Sequence, residues 1–171
     1  FEYVEGSNVK MKRVFQDASR AARAGVSVLI IGETGSGKEI IAQYIHANGS
    51  RSSKPMIAIN CAAIAPTVLE SELFGHEAGS FTGADKKTQG LFEAADGGIL
   101  FLDEISAAPP SVQAAAYQIT LDRMVGEHKL PDNCIVFAAG NRVTDRSVAY
   151  NMPKALANRL CHIEIESDHK S

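Results

Sequence analysis

Apolar and polar residues alternate along the chain with two different periods. VKMKRVFQDASRAARA (9–24) places apolar residues three and four apart and reads as an amphipathic helix, with Ser7 or Asn8 as its cap. VSVLIIG (26–32) is a continuous, β-branched apolar run of strand length, which suits a parallel strand covered on both faces. The same alternation continues along the chain. Strands are expected at 55–60, 97–104, 134–141 and 161–166, and helices at 38–47, 66–75, 109–124 and 152–160. Pro66 sits near the start of its helix, where its missing N–H costs nothing. Strands alternating with helices imply an α/β fold: a parallel sheet with helices on both faces. Ligands on such sheets bind beyond the carboxyl ends of the strands.

Composition narrows the class. The 171 residues suit one domain, and 45 % apolar with 22 % charged residues is enough for a packed core. The net charge of -3 argues against direct DNA binding by the chain as a whole. No apolar run reaches the roughly 20 residues of a membrane helix, and no signal peptide is evident. Cys61, Cys134 and Cys161 are an odd, widely spaced set, read as buried small residues in a reducing compartment. The five histidines are scattered, which argues against a histidine metal cluster.

The chemistry concentrates at the strand ends. GETGSGKE follows the first strand and opens the next helix. It is nearly a phosphate-binding loop, G-x-x-x-x-G-K followed by Ser or Thr. Gly32, Gly37 and Lys38 fit, while Glu39 stands in place of the hydroxyl. The plain alternative is a tight turn, but the strand–loop–helix setting favours the loop. Residues Gly32, Glu33, Thr34, Gly35, Ser36, Gly37, Lys38 and Glu39 are therefore the candidate phosphate cradle. Gly35 and Gly37 let backbone N–H groups wrap the phosphates, and Lys38 reaches the β- and γ-phosphates.

ILFLDE ends the third strand in Asp103 and Glu104. Alone this is an acidic turn. With the loop upstream it becomes a metal-holding aspartate and a glutamate that deprotonates the attacking water. Asn141 closes the fourth strand, where an amide donor can hold water or the γ-phosphate; a turn asparagine is the equal alternative. Asn60 ends the second strand, where it can hold Glu104 idle or simply make a turn. Arg159 is either solvated or an arginine finger offered to a neighbouring subunit. In GSFTGA, residues Gly79, Ser80, Phe81, Thr82, Gly83 and Ala84, Phe81 is either buried in a turn or presented to a partner.

GETGSGKE, NCAAI, ESELFGHEAGSFTGA and GLFEAADGGILFLDEI resemble the AAA+ domain of bacterial enhancer-binding transcription activators, over about residues 3–105. Those proteins remodel RNA polymerase carrying sigma-54. The resemblance implies a P-loop NTPase three-layer sandwich with five parallel strands in the order 5-1-4-3-2, ATP and Mg²⁺ as ligands, and a glutamate as the usual residue after the loop lysine. It implies Glu39 and Asp103 on the metal side, Glu104 as base, Asn60 as its switch, and Val4 and Gly6 lining the adenine pocket. Gly79 to Ala84 match the GAFTGA loop that contacts the sigma factor, with Ser80 for the usual alanine.

After residue 105, APPSVQAAAYQITLDRMVG, AAGNRVTDR and MPKALANRLCHIEIE resemble MoxR-type AAA+ ATPases. One of the two arginine fingers of the activators falls on Pro153, while Arg159 remains. The sequence thus reads as a mosaic, either a constructed chimera or a natural branch. The chain ends after the fifth strand, so residues 1–171 are expected to be a single nucleotide-binding core with its helical lid absent.

The expected function is an ATP-hydrolysing remodelling ATPase of the bacterial cytoplasm. It would form a hexamer-like ring in the full module, and this piece by itself could be a monomer. The alternatives are a MoxR-type chaperone ATPase and a chimeric scaffold that binds nucleotide weakly or not at all.

Overall fold

The computed structural model describes residues 9–33, 35, 37–76, 88–141 and 160–165. Five parallel strands form the central sheet: β1 (Val28–Gly32), β2 (Met56–Asn60), β5 (Ile99–Asp103), β8 (Ile135–Gly140) and β9 (Cys161–Ile165). Their order is β2-β5-β8-β1-β9. Counted in chain order among these five, that is the expected 5-1-4-3-2. Neighbouring registers align the carboxyl ends: Ile31 pairs with Gly140, Gly32 with Ile165 and Asn60 with Asp103. The strand-end residues singled out in the sequence therefore share one edge of the sheet.

Side-chain alternation explains the layers. In a strand, successive residues point to opposite faces. Leu29, Leu100, Leu102, Val136 and Ala138 enter one core, with Leu73, Phe92, Val112 and Ile119 from the covering helices. Val28, Ile30, Ile99, Phe101, Phe137 and Ile163 enter the other, with Val14, Phe15, Ala18, Ile41 and Ile45. The continuous apolar runs are thus two interleaved stripes, each facing its own helices. Helices α3 (Pro66–Phe74), α4 (Leu91–Ala94) and α5 (Pro110–Asp122) cover the first face; α1 (Val9–Ala24) and α2 (Lys38–Asn48) cover the second. Phe15 and Tyr44 meet edge to face at 5.0 Å between α1 and α2, and Ser19 Oγ lies 3.1 Å from Tyr44 Oη.

Several boundaries differ from those the sequence suggests. The third strand begins at Ile99, because Gly97 has φ 78° and the Gly98 N–H closes a turn to the Ala95 carbonyl. The long helix stops at Asp122 because Arg123 turns left-handed (φ 58°). The chain then enters an unforeseen hairpin, β6 (Met124–Val125) with β7 (His128–Lys129), around Gly126. The pair β3 (Gly75–His76) with β4 (Thr88–Gln89) and the one-turn α4 were also unforeseen. The expected helix at 152–160 lies almost wholly outside the described residues. Among the described residues no helix is long and apolar enough to cross a membrane.

Candidate functional site

β1 runs out at Gly32, and the chain turns through Gly35 (φ 82°) and Gly37 (φ 91°) into α2. Both angles lie where a side chain would be strained. A Cβ at either would meet no atom within 4 Å, so the glycines are required by backbone conformation and not by crowding. Among the described residues no side-chain hydrogen bond caps the amino end of α2. First-turn N–H groups at such a helix start favour an anion, and the helix dipole adds to that preference.

Lys38 opens that helix and is only 5 % exposed. Its Nζ donates to the carbonyl of Gly32 at 2.8 Å, to that of Glu33 at 3.4 Å and to Asn141 Oδ1 at 3.2 Å. All three acceptors are neutral oxygens. Burying an ammonium among neutral dipoles is costly unless an anion joins it, so this position favours phosphate. Glu39, next to it, is exposed on the first turn of α2.

Asp103 and Glu104 stand two strands away, with β8 between. Asp103 Oδ1 accepts the Glu104 N–H at 2.9 Å. Glu104 is left-handed (φ 55°, ψ 41°), a strained conformation for a residue with a side chain. This left-handed residue comes directly after β5 and leads into the 3₁₀ turn Ile105–Ala107, and it is half-buried. Asn60 lies beside Asp103 in the sheet register. Its Oδ1 accepts the Ala62 N–H at 3.0 Å, and among the described residues no hydrogen bond joins Asn60 to Glu104. Asn141 follows β8, so it sits between the lysine and the acidic pair, and its carboxamide reaches Lys38 directly.

Among the described residues no group of three or more His, Cys, Asp or Glu side chains is placed to hold a metal. Mg²⁺ does not need such a cage. It keeps water and takes one or two carboxylates plus phosphate oxygens. The hard oxygen donors of Asp103 fit that demand.

Cys61 is 1 % exposed, and burial together with the Asp103 carboxylate pushes its thiol up to about 12. Burial raises Cys134 and Cys161 as well. Cys61 and Cys134 are buried, as the sequence leads one to expect, while Cys161 is only half-buried at the start of the edge strand β9.

Val4, Gly6, Thr34, Ser36, Gly79 to Ala84 and Arg159 lie outside the described residues. Sequence reasoning missed Ser106, which is 2 % exposed and whose Oγ accepts the Asn141 N–H at 2.7 Å. No sequence signal marks it, because a serine after an acidic turn is ordinary.

The model of the Sigma-54 interaction domain matches residues 4–166. The match takes in the back half as well, and the resemblance to MoxR-type ATPases and the idea of a chimera find no support. The Nif-specific regulatory protein of Azotobacter vinelandii is 44 % identical over 149 residues, which is 85 % of this chain and 28 % of that protein. The chain therefore spans little more than a quarter of that relative. Among solved structures, NtrX from Brucella abortus in complex with ATP superposes with a TM-score of 0.74 at 27 % identity, covering 96 % of this chain and 37 % of that one. The P-loop NTPase domain of a sigma-54 activator from E. coli superposes at 0.58 with 14 % identity, over 96 % of this chain and 99 % of that one, and shows the fold.

Proposed function

The chain belongs to the Sigma-54 interaction domain family, and on that basis we propose that it is the ATP-binding and ATP-hydrolysing AAA+ core of a sigma-54-dependent transcription activator. The observation that carries this reading is Lys38: a buried ammonium at a helix start without a side-chain cap among the described residues, joined to Asn141, with one strand between its own strand and the one that leads to Asp103 and Glu104. The ATP complex of NtrX supports the choice of ligand.

The proposed chemistry rests on the placement of these groups. The first-turn N–H groups of α2 and the loop from Gly32 to Gly37 cradle the phosphates, and Thr34 and Ser36 complete that loop. Lys38 gives up a neutral acceptor for a phosphate oxygen and meets the charge that builds on the γ-phosphoryl group. Glu104 takes a proton from the attacking water as the water oxygen bonds to the γ-phosphorus and the bond to the leaving ADP oxygen breaks. Asn141, beside Lys38, orients that water or the γ-phosphate. Mg²⁺, held by Asp103 with Glu39 near its waters, would supply charge neutralisation at the phosphates.

The remaining roles rest on family membership. Val4 and Gly6 line the adenine side. Arg159 serves a neighbour's site in a ring. Gly79, Ser80, Phe81, Thr82, Gly83 and Ala84 present Phe81 and Thr82 to the sigma factor. Asn60 holds Glu104 in one state of the cycle. Residues 1–171 act as one nucleotide-binding unit in the bacterial cytoplasm.

Replacing the base tests the assignment. Glu104→Gln is expected to bind MgATP about as well as the unaltered chain and to lose roughly 10²–10⁴-fold in turnover. Phosphate release at the unaltered rate would remove Glu104 from the role of base.

A further inference from the structure

Ser106 belongs to none of the motifs that mark the site, yet it joins two of its walls. It lies in the 3₁₀ turn Ile105–Ala107 that comes directly after Glu104 and is almost wholly buried. Its Oγ accepts the backbone N–H of Asn141 at 2.7 Å. Asn141 is the first residue beyond β8, where the ladder of strand hydrogen bonds ends. A half-buried N–H beyond the ladder needs another acceptor. The hydroxyl supplies it, and so sets the plane of the peptide from which the Asn141 carboxamide extends to Lys38.

The fit around this bond is close. A Cβ at Gly140 would lie 2.7 Å from Ser106 Oγ and 3.1 Å from Ile105 Cγ1. Gly140 therefore lets the end of β8 approach the turn. From the other side, buried Gln113 donates from Nε2 to the Ile105 carbonyl at 3.0 Å and braces the turn against α5. The acidic turn that carries Glu104 and the peptide that carries Asn141 are thus held as one unit.

We propose that Ser106 is a positioning residue for ATP hydrolysis: its hydroxyl fixes the Asn141 peptide so that the carboxamide stays aligned with Lys38 and Glu104. The inference rests on the ATPase reading above and adds a residue that acts through the Asn141 peptide. A displacement of about 1 Å at a positioned group can cost up to 10²-fold in rate, which sets the scale of the effect.

The test compares the unaltered chain with Ser106→Ala, Gly140→Ala, Asn141→Ala and the Ser106→Ala/Asn141→Ala pair. Three quantities are read: hydrogen exchange at the residue 141 amide, MgATP affinity and turnover. Ser106→Ala should expose the amide, speeding its exchange roughly tenfold or more. It should lower turnover by about tenfold with MgATP affinity little changed. In the Asn141→Ala background it should lower turnover no further, since the hydroxyl acts through that carboxamide. Gly140→Ala displaces the hydroxyl from the opposite side and should give the same pattern, which covers poor folding of the serine variant. Unchanged amide exchange in both variants would overturn the proposal. So would a turnover loss of equal size with and without the Asn141 side chain. Failure of the unaltered chain to bind MgATP would instead sink the nucleotide reading, and amide exchange would still decide whether the hydroxyl holds the peptide.

Discussion

Lys38 shows how one residue can be legible from sequence while its energetics are not. The G-x-x-x-x-G-K spacing placed it at a helix start. Its near-complete burial among three neutral oxygens comes from the meeting of β1, β8 and α2, which no local pattern encodes. Glu104 is a similar case. The sequence identified the carboxylate, but its left-handed backbone depends on the Asp103 side chain and the turn behind it. Cys61 gives a prediction at this scale. Its thiol rises from 9.0 to about 12 in the folded chain. The folded state therefore keeps a proton that the unfolded state releases. The resulting stabilisation is complete below pH 9 and is lost as pH climbs from 9 towards 12. Melting temperature should fall across that window, and Cys61→Ala should have a shallower fall; an unchanged slope would mean the thiol contributes nothing.

At the scale of elements, the strands of the main sheet were readable because each is a continuous apolar run covered on both faces. Helix ends and small hairpins were not, because a few backbone angles decide them. Arg123 is the clearest example. The apolar spacing carries the helix pattern through Met124, yet the chain turns left-handed at Arg123. The guanidinium Nη2 then donates to the carbonyls of Pro131 at 2.8 Å and Cys134 at 2.6 Å, and the Leu130 N–H donates back to the Arg123 carbonyl at 2.8 Å. These bonds fold the β6–β7 hairpin onto the start of β8. Arg123→Ala should destabilise the chain by about 1.5–3 kcal/mol in a denaturant titration, with exchange protection lost first between Met124 and Cys134. Gly98 makes a second case. A Cβ there would overlap the Pro55 carbonyl oxygen, so Gly98→Ala should cost roughly 1–3 kcal/mol by forcing β2 and β5 apart.

Across the whole molecule, parallel pairing gathers residues far apart in sequence onto one sheet edge. Lys38, Asn60, Asp103, Glu104 and Asn141 come from the ends of four strands, and the order β2-β5-β8-β1-β9 puts Asn141 between the lysine and the acidic pair. The strand order was available only through family resemblance, since alternation of strands and helices allows several. A second likeness, over APPSVQAAAYQITLDRMVG, AAGNRVTDR and MPKALANRLCHIEIE, pointed to MoxR-type ATPases for the back half, and the family match over residues 4–166 gives it no support. If Arg159 completes a neighbour's site, turnover per chain should rise steeply with protein concentration, and Arg159→Ala should flatten that rise while leaving MgATP binding intact. A rate per chain independent of concentration would argue against a shared site.

Every role proposed for the site depends on the loop between β1 and α2 holding nucleotide through Lys38. A calorimetric titration of MgATP into the unaltered chain and into Lys38→Ala tests this directly. Saturable binding at one site is expected in the first and none in the second. Equal binding by both chains, or no binding by either, would contradict it.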